Sequence, residues 1–285
     1  MVMEIIHLSV DTPMQVHDSV CALGFFDGVH LGHQQLLKEV EHIAKEKGLK
    51  KAIMTFSVHP KQILENNDYH YLMSLSEKIN ILKQWQFDYF YIIDFDQTVA
   101  NLKPNTFLQN YIINHQIKHV VCGFDFHFGK KGMGDVHVLQ ENKSFDVTVI
   151  EEYSEDALKV SSSYIKKLLN EGNIEKANHL LTRFYRVSGQ VIYGLQNGRK
   201  IGFPTANIDL KKGVYGVYIT IKGKQYKGMA NIGYNPTVGL IDNLSLEVNI
   251  FDFDQDIYGE DVDVDFVFRV RDEKKFKSLN HLKEQ

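Results

Sequence analysis

The first 150 residues alternate between short apolar runs and longer amphipathic segments. The apolar runs are rich in β-branched and aromatic residues, which predicts short buried strands. Alternation of strands and helices favours a parallel sheet covered by helices, so we predict a Rossmann-like α/β domain. The predicted strands are Cys21–Phe26, Ala52–Phe56, Tyr89–Phe95, His119–Phe126 and Asp146–Ile150.

The segments between these strands carry apolar residues at helical spacing. Gln34–Lys47 has a single apolar stripe, and Gly48 follows it as a typical helix stop. Ser76–Trp85 and Pro104–His115 also predict helices, the second with Pro104 near its first turn. Ligands of such folds bind beyond the carboxyl ends of the strands.

The pattern changes in the second half of the chain. Ser161–Glu171 and Ile174–Leu181 predict two short helices, after which strands and Gly-containing turns follow closely. This spacing is typical of a small antiparallel barrel or sandwich. We therefore predict two domains, residues 1–183 and residues 184–285.

Composition narrows the function. The formal net charge of -4 argues against nucleic-acid binding through a basic surface. No apolar run approaches the roughly 18 residues of a membrane span, and the N-terminus lacks the basic lead-in of a signal peptide. Cys21 and Cys122 lie in apolar runs, which predicts buried, unpaired thiols and fits a reducing cytoplasm. The sequence leaves open whether the protein is a monomer or a weak oligomer.

The junction after the first of these strands predicts a phosphate site. Residues 27–33 link a predicted strand to a predicted helix, so free backbone N–H groups and the positive helix end meet there. Gly28 and Gly32 allow close backbone approach. His30 and His33 can both donate hydrogen bonds to phosphate oxygens. A metal site is the alternative, but no third ligand with suitable spacing lies nearby.

This segment, GFFDGVHLGH, resembles the H-x-G-H signature of nucleotidylyltransferases, and more closely the N-terminal domain of bacterial bifunctional riboflavin kinase/FAD synthetases. TFSVHP, CGFDFHFGKKGMGD and VSSSYIKKLL resemble three further segments of that family. The resemblance implies that His30 and His33 are catalytic and contact the ATP phosphates. It also implies ATP binding by Gly24, Phe25, Asp27, Gly28, Gly32, Ser161, Ser162, Ser163 and Lys166, and flavin binding by Phe56, His59, Pro60, Gly123, Asp125 and Phe128.

The chain departs from the family pattern at its second nucleotide motif. That pattern usually reads Ser-Ser-Thr-x-Ile-Arg, often with a further arginine before the isoleucine, whereas this chain has Ser163, Tyr164 and Lys166. Lysine keeps a positive charge but loses the planar two-pronged contact of arginine. A capped amphipathic helix is the alternative interpretation of this segment.

A second candidate site lies in GRKIGFPTAN. Gly202 permits close approach of a phosphate, and Pro204 stiffens the turn. Thr205 and Asn207 face the same side of an extended chain, and their oxygens suit Mg²⁺. A β-turn with a capping threonine is the alternative.

GRKIGFPTAN closely resembles the G-x-P-T-A-N motif of riboflavin kinases, which fold as a six-stranded antiparallel barrel. The resemblance implies that Glu247 is the catalytic base and that Thr205 and Asn207 bind Mg²⁺. In LSLEVNIF, Glu247 lies on the face opposite Leu246 and Val248. The resemblance further implies that the kinase binds ATP through Gly202, Phe203, Pro204, Thr205 and Asn207. It implies flavin binding by Glu247, Arg271 and Phe276.

The resemblance covers nearly the whole chain and implies two ATP- and Mg²⁺-dependent steps, riboflavin to FMN and FMN to FAD. Three alternatives remain open. The first alternative is a riboflavin kinase with a weak or inactive first domain. The second is a nucleotidylyltransferase for another small phosphate compound, and the third is a non-catalytic flavin-binding regulator.

Overall fold

The computed structural model describes residues 3–9, 12, 17–66, 69–193, 199–202, 210–234 and 244–273. Within it the chain forms two compact units, Met1–Ser162 and Ser163–Gln285. This division by contacts lies earlier in the chain than the domain boundary predicted at residue 183, which stays a prediction. None of the described helices is long and apolar enough to cross a membrane.

The first unit is built on a six-stranded parallel sheet, in the order β1-β4-β3-β2-β5-β6. Strand order reverses at β2, because the chain fills one side with β3 and β4 and then the other side with β5 and β6. The carboxyl ends beside β2 therefore form the topological switch point at which such sheets bind ligands. The strands are β1 (Glu4–Leu8), β2 (Ser19–Leu23), β3 (Lys50–Phe56), β4 (Tyr89–Ile93), β5 (Ile117–Gly123) and β6 (Asp146–Ile150).

Helices connect these strands. The longest begins directly after the turn that follows β2 and ends at Gly48, which has the left-handed conformation predicted for a stop. Short helices absent from the prediction follow β3, β4 and β5. The helices are α1 (Leu31–Lys47), α2 (Pro60–Leu64), α3 (Leu75–Lys83), α4 (Gln97–Ala100), α5 (Pro104–Leu108, continuing as a π-helical turn over Gln109–Ile113) and α6 (Val136–Glu141).

Two apolar clusters, one on each face of the sheet, form the core of this unit. Cys21, Met54 and Phe107 belong to one cluster, and Val20 and Leu37 belong to the other. Alternate residues of β2 thus enter opposite clusters, as the alternation of side chains along a strand requires. Both cysteines are buried and free, as predicted.

Short strands and helices lie where the first unit ends and the second begins. A two-stranded hairpin, β7 (Ser154–Glu155) and β8 (Leu158–Lys159), precedes α7 (Ser162–Glu171) and α8 (Ile174–Leu181). Both predicted helices are therefore confirmed, the second with identical bounds.

The second unit contains a closed six-stranded antiparallel barrel, as the family resemblance implied, in the order β10-β13-β12-β11-β14-β9. Side chains of β11 alternate between buried and half-buried positions over most of its length. Arg186 joins two of the strands, since its guanidinium donates to both carboxylate oxygens of the buried Asp265 at 2.7 and 2.8 Å. The strands are β9 (Tyr185–Tyr193), β10 (Arg199–Gly202), β11 (Gly213–Ile221), β12 (Lys224–Tyr234), β13 (Leu244–Ile250) and β14 (Asp261–Arg271).

Several strand ends and one sheet edge differ from the prediction. The strands predicted to end at Phe95 and Phe126 end at Ile93 and Gly123. The strand predicted over Cys21–Phe26 ends at Leu23, because Phe26 has a φ of 55° and cannot continue an extended chain. The strand Glu4–Leu8 was not predicted. Its side chains alternate between exposed and buried only in part, and Glu4 and His7 interrupt the apolar pattern at this sheet edge.

Candidate active sites

The turn between β2 and α1 reverses the chain through unusual backbone conformations. Phe26, Gly28 and Val29 all have positive φ, at 55°, 92° and 42°. Such conformations persist where the surroundings hold them, and they concentrate at functional sites. Ser162 is one of the groups that hold this turn, because its hydroxyl donates to the carbonyl of Asp27 at 2.7 Å.

His30 and His33 lie together at the start of α1. His30 is the N-cap residue, and its Nδ1 accepts from the backbone N–H of His33 at 3.4 Å. The two rings stack with centroids 3.7 Å apart, and the Phe26 ring lies 5.2 Å from that of His33. The structure therefore brings the two predicted catalytic histidines into direct contact.

His33 is poised as a neutral imidazole. Burial, helped by the nearby His30 and Lys78, holds the pKa of His33 well below its ordinary value. Its Nδ1 is buried and has no hydrogen-bond partner among the described residues. A buried, unsatisfied ring nitrogen is costly, so it marks a place where a ligand can supply the missing bond.

Hydrogen bonds to Asp27 and Phe25 hold the same turn in place. The Asp27 carboxylate is buried and accepts from the backbone N–H of Leu72 at 2.8 Å and from the Tyr69 hydroxyl at 3.3 Å. The carbonyl of Phe25 accepts from the ammonium of Lys78 at 2.5 Å.

Lys78 was not among the site residues predicted from the sequence. Its position could have indicated it, because Lys78 lies on the apolar stripe of α3, four residues before the buried Leu82. A lysine at such a position is rarely buried without a specific partner.

The predicted flavin-side residue His59 packs against this turn. Its ring meets the Phe25 ring edge-on at 4.7 Å and stacks on Tyr69 at 3.8 Å. His59 also caps α2, in which Pro60 is the first residue. The ends of β2 and β3 are thus joined by aromatic contacts at the switch point.

The loop after β5 brings further predicted residues to the same edge of the sheet. Gly123 ends β5, and the Asp125 carboxylate accepts from Lys159 at 2.7 Å. Phe128 is buried and packs on Phe107 at 5.3 Å, so its ring belongs to the core. A small cavity of about 10 Å³ lies here, lined by Leu23, Gly24, Met54, Thr55, Phe56, Ile93, Phe107 and Phe126.

The second nucleotide motif starts at this turn and runs into α7. Ser162 is the first residue of α7, preceded by Ser161, and Ser163 and Lys166 follow in the same helix. Of these, Ser162 contacts the turn through its bond to Asp27.

The candidate kinase base Glu247 lies in β13, where it pairs in register with Asn231 of β12 and Lys200 of β10. Glu247 is half-buried, whereas Leu246 and Val248 are buried, so it lies on the predicted face. Gly202 ends β10, and Arg271 ends β14. The predicted residues Phe203, Pro204, Thr205, Asn207 and Phe276 lie outside the described residues.

A metal site of carboxylates, histidines and cysteines is not formed in the described part of the chain, which contains no group of three or more such residues suited to a metal ion. The predicted Mg²⁺ ligands, Thr205 and Asn207, are hydroxyl and amide residues beyond that part. Their role stays a prediction.

Comparison with known proteins decides the family. Residues 12–164 match the family model described as FAD synthetase, and residues 181–285 match the model described as riboflavin kinase. The chain belongs to the bifunctional riboflavin kinase/FMN adenylyltransferase family. Curated members from Bacillus subtilis and Listeria monocytogenes are each 40% identical to it, over 94% and 93% of this chain and 89% and 88% of their own lengths. The member from Escherichia coli is 34% identical.

A solved structure supports the two-part fold of this bifunctional family. The crystal structure of a protein from Streptococcus pneumoniae, named a macrolide-efflux protein, superimposes with a TM-score of 0.88. It is 31% identical, and the match covers 98% of this chain and 95% of the other. The family model for riboflavin kinase starts within α8, close to the domain boundary that the sequence predicts.

Proposed function

We propose that this chain phosphorylates riboflavin to FMN with ATP, and then transfers the adenylyl group of a second ATP to FMN, which releases pyrophosphate and forms FAD. The observation that carries the adenylyl-transfer half is the stacked pair of His30 and His33 at the switch point of the parallel sheet. The family and the antiparallel barrel support the kinase half.

The kinase step needs a base for one proton. The terminal hydroxyl of the ribityl chain attacks the γ-phosphorus of ATP, its proton passes to the Glu247 carboxylate, and ADP leaves. Glu247 suits this role because it is half-buried on the outward face of a barrel strand. Mg²⁺, for which we propose Thr205 and Asn207 as ligands, would neutralise charge on the phosphates.

The adenylyl step needs neither a protein nucleophile nor a base. An ionised phosphate oxygen of FMN attacks the α-phosphorus of ATP, and pyrophosphate leaves. Charge accumulates on the departing phosphates, where imidazole and backbone N–H donors stabilise it. We place the triphosphate at His30, His33 and the start of α1, and the flavin towards His59 and the loop after Gly123.

The other predicted contacts follow from this placement. Gly24, Gly28 and Gly32 lie along the turn on which the nucleotide would rest, and Ser162 is bonded to it. A Cβ at Gly32 would lie 3.3 Å from the His30 ring, which leaves little room for a side chain there. Lys166 would supply the positive charge that the family usually takes from arginine.

The experiment that tests both halves is chromatography of riboflavin incubated with the protein, ATP and Mg²⁺. We expect FMN first and FAD later. FMN without FAD, from either oxidised or reduced FMN, would favour the kinase-only alternative. Neither product would favour the flavin-binding regulator.

The Glu247→Gln variant tests the kinase base. We expect FMN formation to fall about 10²-fold or more, because a positioned base is lost. Adenylylation of supplied FMN by the same preparation should be unchanged, which serves as the control for folding. Normal kinase turnover would remove Glu247 from the mechanism.

A further inference from the structure

Lys78 is a buried cation to which the mechanism above gives no role. Its exposed fraction is 3%, and its Nζ lies 4.1 Å from the centroid of the Phe25 ring. Within the described part of the chain, its ammonium donates to the Phe25 carbonyl and forms no ion pair with a carboxylate. Burying an ammonium costs several kcal/mol, about what good pairing can offset, so stability alone does not explain it.

The Phe25 carbonyl does not need this lysine. The buried Thr55 hydroxyl also donates to it, at 3.1 Å. Lys78 is therefore not required to satisfy a buried acceptor, and its charge has to serve another purpose.

The position of Phe25 points to that purpose. Phe25 directly precedes the strained turn Phe26–Val29, whose other anchor is the buried Asp27 carboxylate bonded to Leu72 and Tyr69. Lys78 from α3 and Asp27 thus fix the turn that ends at the two catalytic histidines.

Charge connects Lys78 to the same histidines. Its ammonium helps to keep the pKa of His33 low. Burial lowers the pKa of Lys78 itself to about 8, against the attraction of the Asp27 carboxylate. The titratable groups that act on Lys78 are Asp27 from the turn and His33 from α1. A cation beside a neutral imidazole in a water-poor site gives a positive potential where an anion binds.

We propose that Lys78 is a positioning residue of the adenylyltransferase site, which holds the Phe26–Val29 turn in place and, when protonated, adds a positive charge beside His33 for the nucleotide phosphates. This inference rests on the proposed formation of FAD. Lys78 acts through the turn and through space, and no contact with the reacting atoms is required.

The full-length protein allows an internal control, because the two activities can be assayed separately. For Lys78→Met we expect kcat/KM for adenylylation of FMN to fall about 10- to 100-fold, because a small displacement of the groups that contact the substrate can cost about 10²-fold. Phosphorylation of riboflavin should be unchanged.

Lys51→Met is the matched control. Lys51 is partly buried, lies 5.3 Å from the Phe87 ring and donates to a backbone carbonyl, that of Trp85. It is bonded to Glu41, however, and lies away from the turn. Both activities should survive its replacement.

The pH profile separates a role of the charge from a role in packing. In the wild type, kcat/KM for adenylylation should fall as the pH rises through about 8, where free Lys78 loses its proton. In Lys78→Arg this fall should disappear, since arginine stays charged. The pH profile of the kinase reaction, measured on the same variants, is the control for other effects of pH on the protein.

Thermal unfolding gives a second discriminating readout. We expect the melting temperature of Lys78→Met to be unchanged or higher, because Thr55 still bonds the Phe25 carbonyl and a buried charge is removed. A residue with only a structural role would lower it.

Binding of FAD, followed by its fluorescence, distinguishes failure of this inference from failure of the proposed function. If the wild type forms no FAD, the proposed function is wrong, and weaker FAD binding by Lys78→Met then decides the role of Lys78. Should Lys78→Met fail to fold, the pH profile of Lys78→Arg decides it. Unchanged kcat/KM and FAD affinity in Lys78→Met, or an unchanged pH profile in Lys78→Arg, would overturn the inference.

Discussion

A lysine, a histidine and an aspartate lie at each edge of the parallel sheet, and the two groups are bonded differently. At the amino edge, Lys47 donates to Asp146 at 2.6 Å and lies 3.1 Å from Nδ1 of His119. The other ring nitrogen of His119 lies 2.8 Å from the Thr148 hydroxyl. These residues satisfy one another.

At the carboxyl edge the same residue types form a different set of bonds. Lys78 binds a backbone carbonyl, Asp27 binds a backbone N–H, and His33 has a buried Nδ1 with no partner in the described structure. Burial is the main cause that lowers the pKa of His33 at this edge and of His119 at the other. The difference is therefore in pairing and not in burial alone.

With the proposed nucleotide site at the carboxyl edge, the comparison contrasts a binding site with a structural network made of the same side chains. A structural network lowers its energy by pairing every donor with an acceptor. A site for an anion keeps some donors unpaired, and the protein bears that cost in stability until the ligand arrives. Four predictions test this distinction.

The largest expected effect is on catalysis. In the proposed mechanism, His33→Ala removes a donor to the departing phosphates. Such a donor is typically worth about 2.7–4 kcal/mol, so adenylylation of FMN should slow about 10²- to 10³-fold. His119→Ala, at the opposite edge, should leave that rate unchanged. Equal effects in the two variants, measured with riboflavin kinase activity as the control, would contradict the assignment.

The free energy of unfolding should fall more in His119→Ala than in His33→Ala, the reverse of the order expected for catalysis. His119→Ala leaves the Thr148 hydroxyl without its buried partner, and such a loss costs about 1–3 kcal/mol. His33→Ala should cost less, because its Nδ1 has no bond to lose in the described structure. Urea unfolding of both variants measures the difference, and a larger loss in His33→Ala would reverse our interpretation of the two edges.

The pH dependence of stability tests both histidines at once. Each has a folded-state pKa below the ordinary value, so the unfolded chain takes up protons first as the pH falls below about 6.5. The free energy of unfolding should therefore decrease below that pH, by at most about 1.4 kcal/mol per unit for each histidine. His119→Gln and His33→Gln should each reduce this slope, whereas a slope equal to the wild type's in either variant would exclude that histidine.

The smallest effect is expected for the exposed ion pair. Side chains of Lys47 and Asp146 are 39% and 67% exposed, so the pair is screened by water and salt. Lys47→Met should change the free energy of unfolding by about 0–1 kcal/mol, and less at high salt. A change above that range would show that Lys47 matters through His119.

Much of this protein was predictable from short stretches of its sequence. The alternation of apolar runs predicted five strands and three helices of the first unit to within a few residues. Three of these strands and two of these helices share at least one end with the structure. The segment GFFDGVHLGH predicted the junction at which His30 and His33 stack. These features depend on residues close in sequence, so local periodicity and turn chemistry suffice to find them.

Local patterns did not reveal the strand Glu4–Leu8. That strand lies at the edge of the sheet beside β4, and its pairing with Tyr89–Ile93 joins residues far apart in the chain. Partial exposure at an edge weakens the apolar pattern on which the prediction depends.

The amino-acid sequence alone was enough to predict the family, the α/β and barrel classes and the two histidines. The folded structure was needed to find the groups that hold the turn before them. Lys78 donates to the Phe25 carbonyl, Tyr69 to the Asp27 carboxylate, and Ser162, from the end of the unit, to the Asp27 carbonyl. These contacts depend on the strand order, which puts the carboxyl ends of β2, β3 and β5 side by side. The pairing energy of a polar group depends on its neighbours in space, and the spacing of residues along the chain does not specify them.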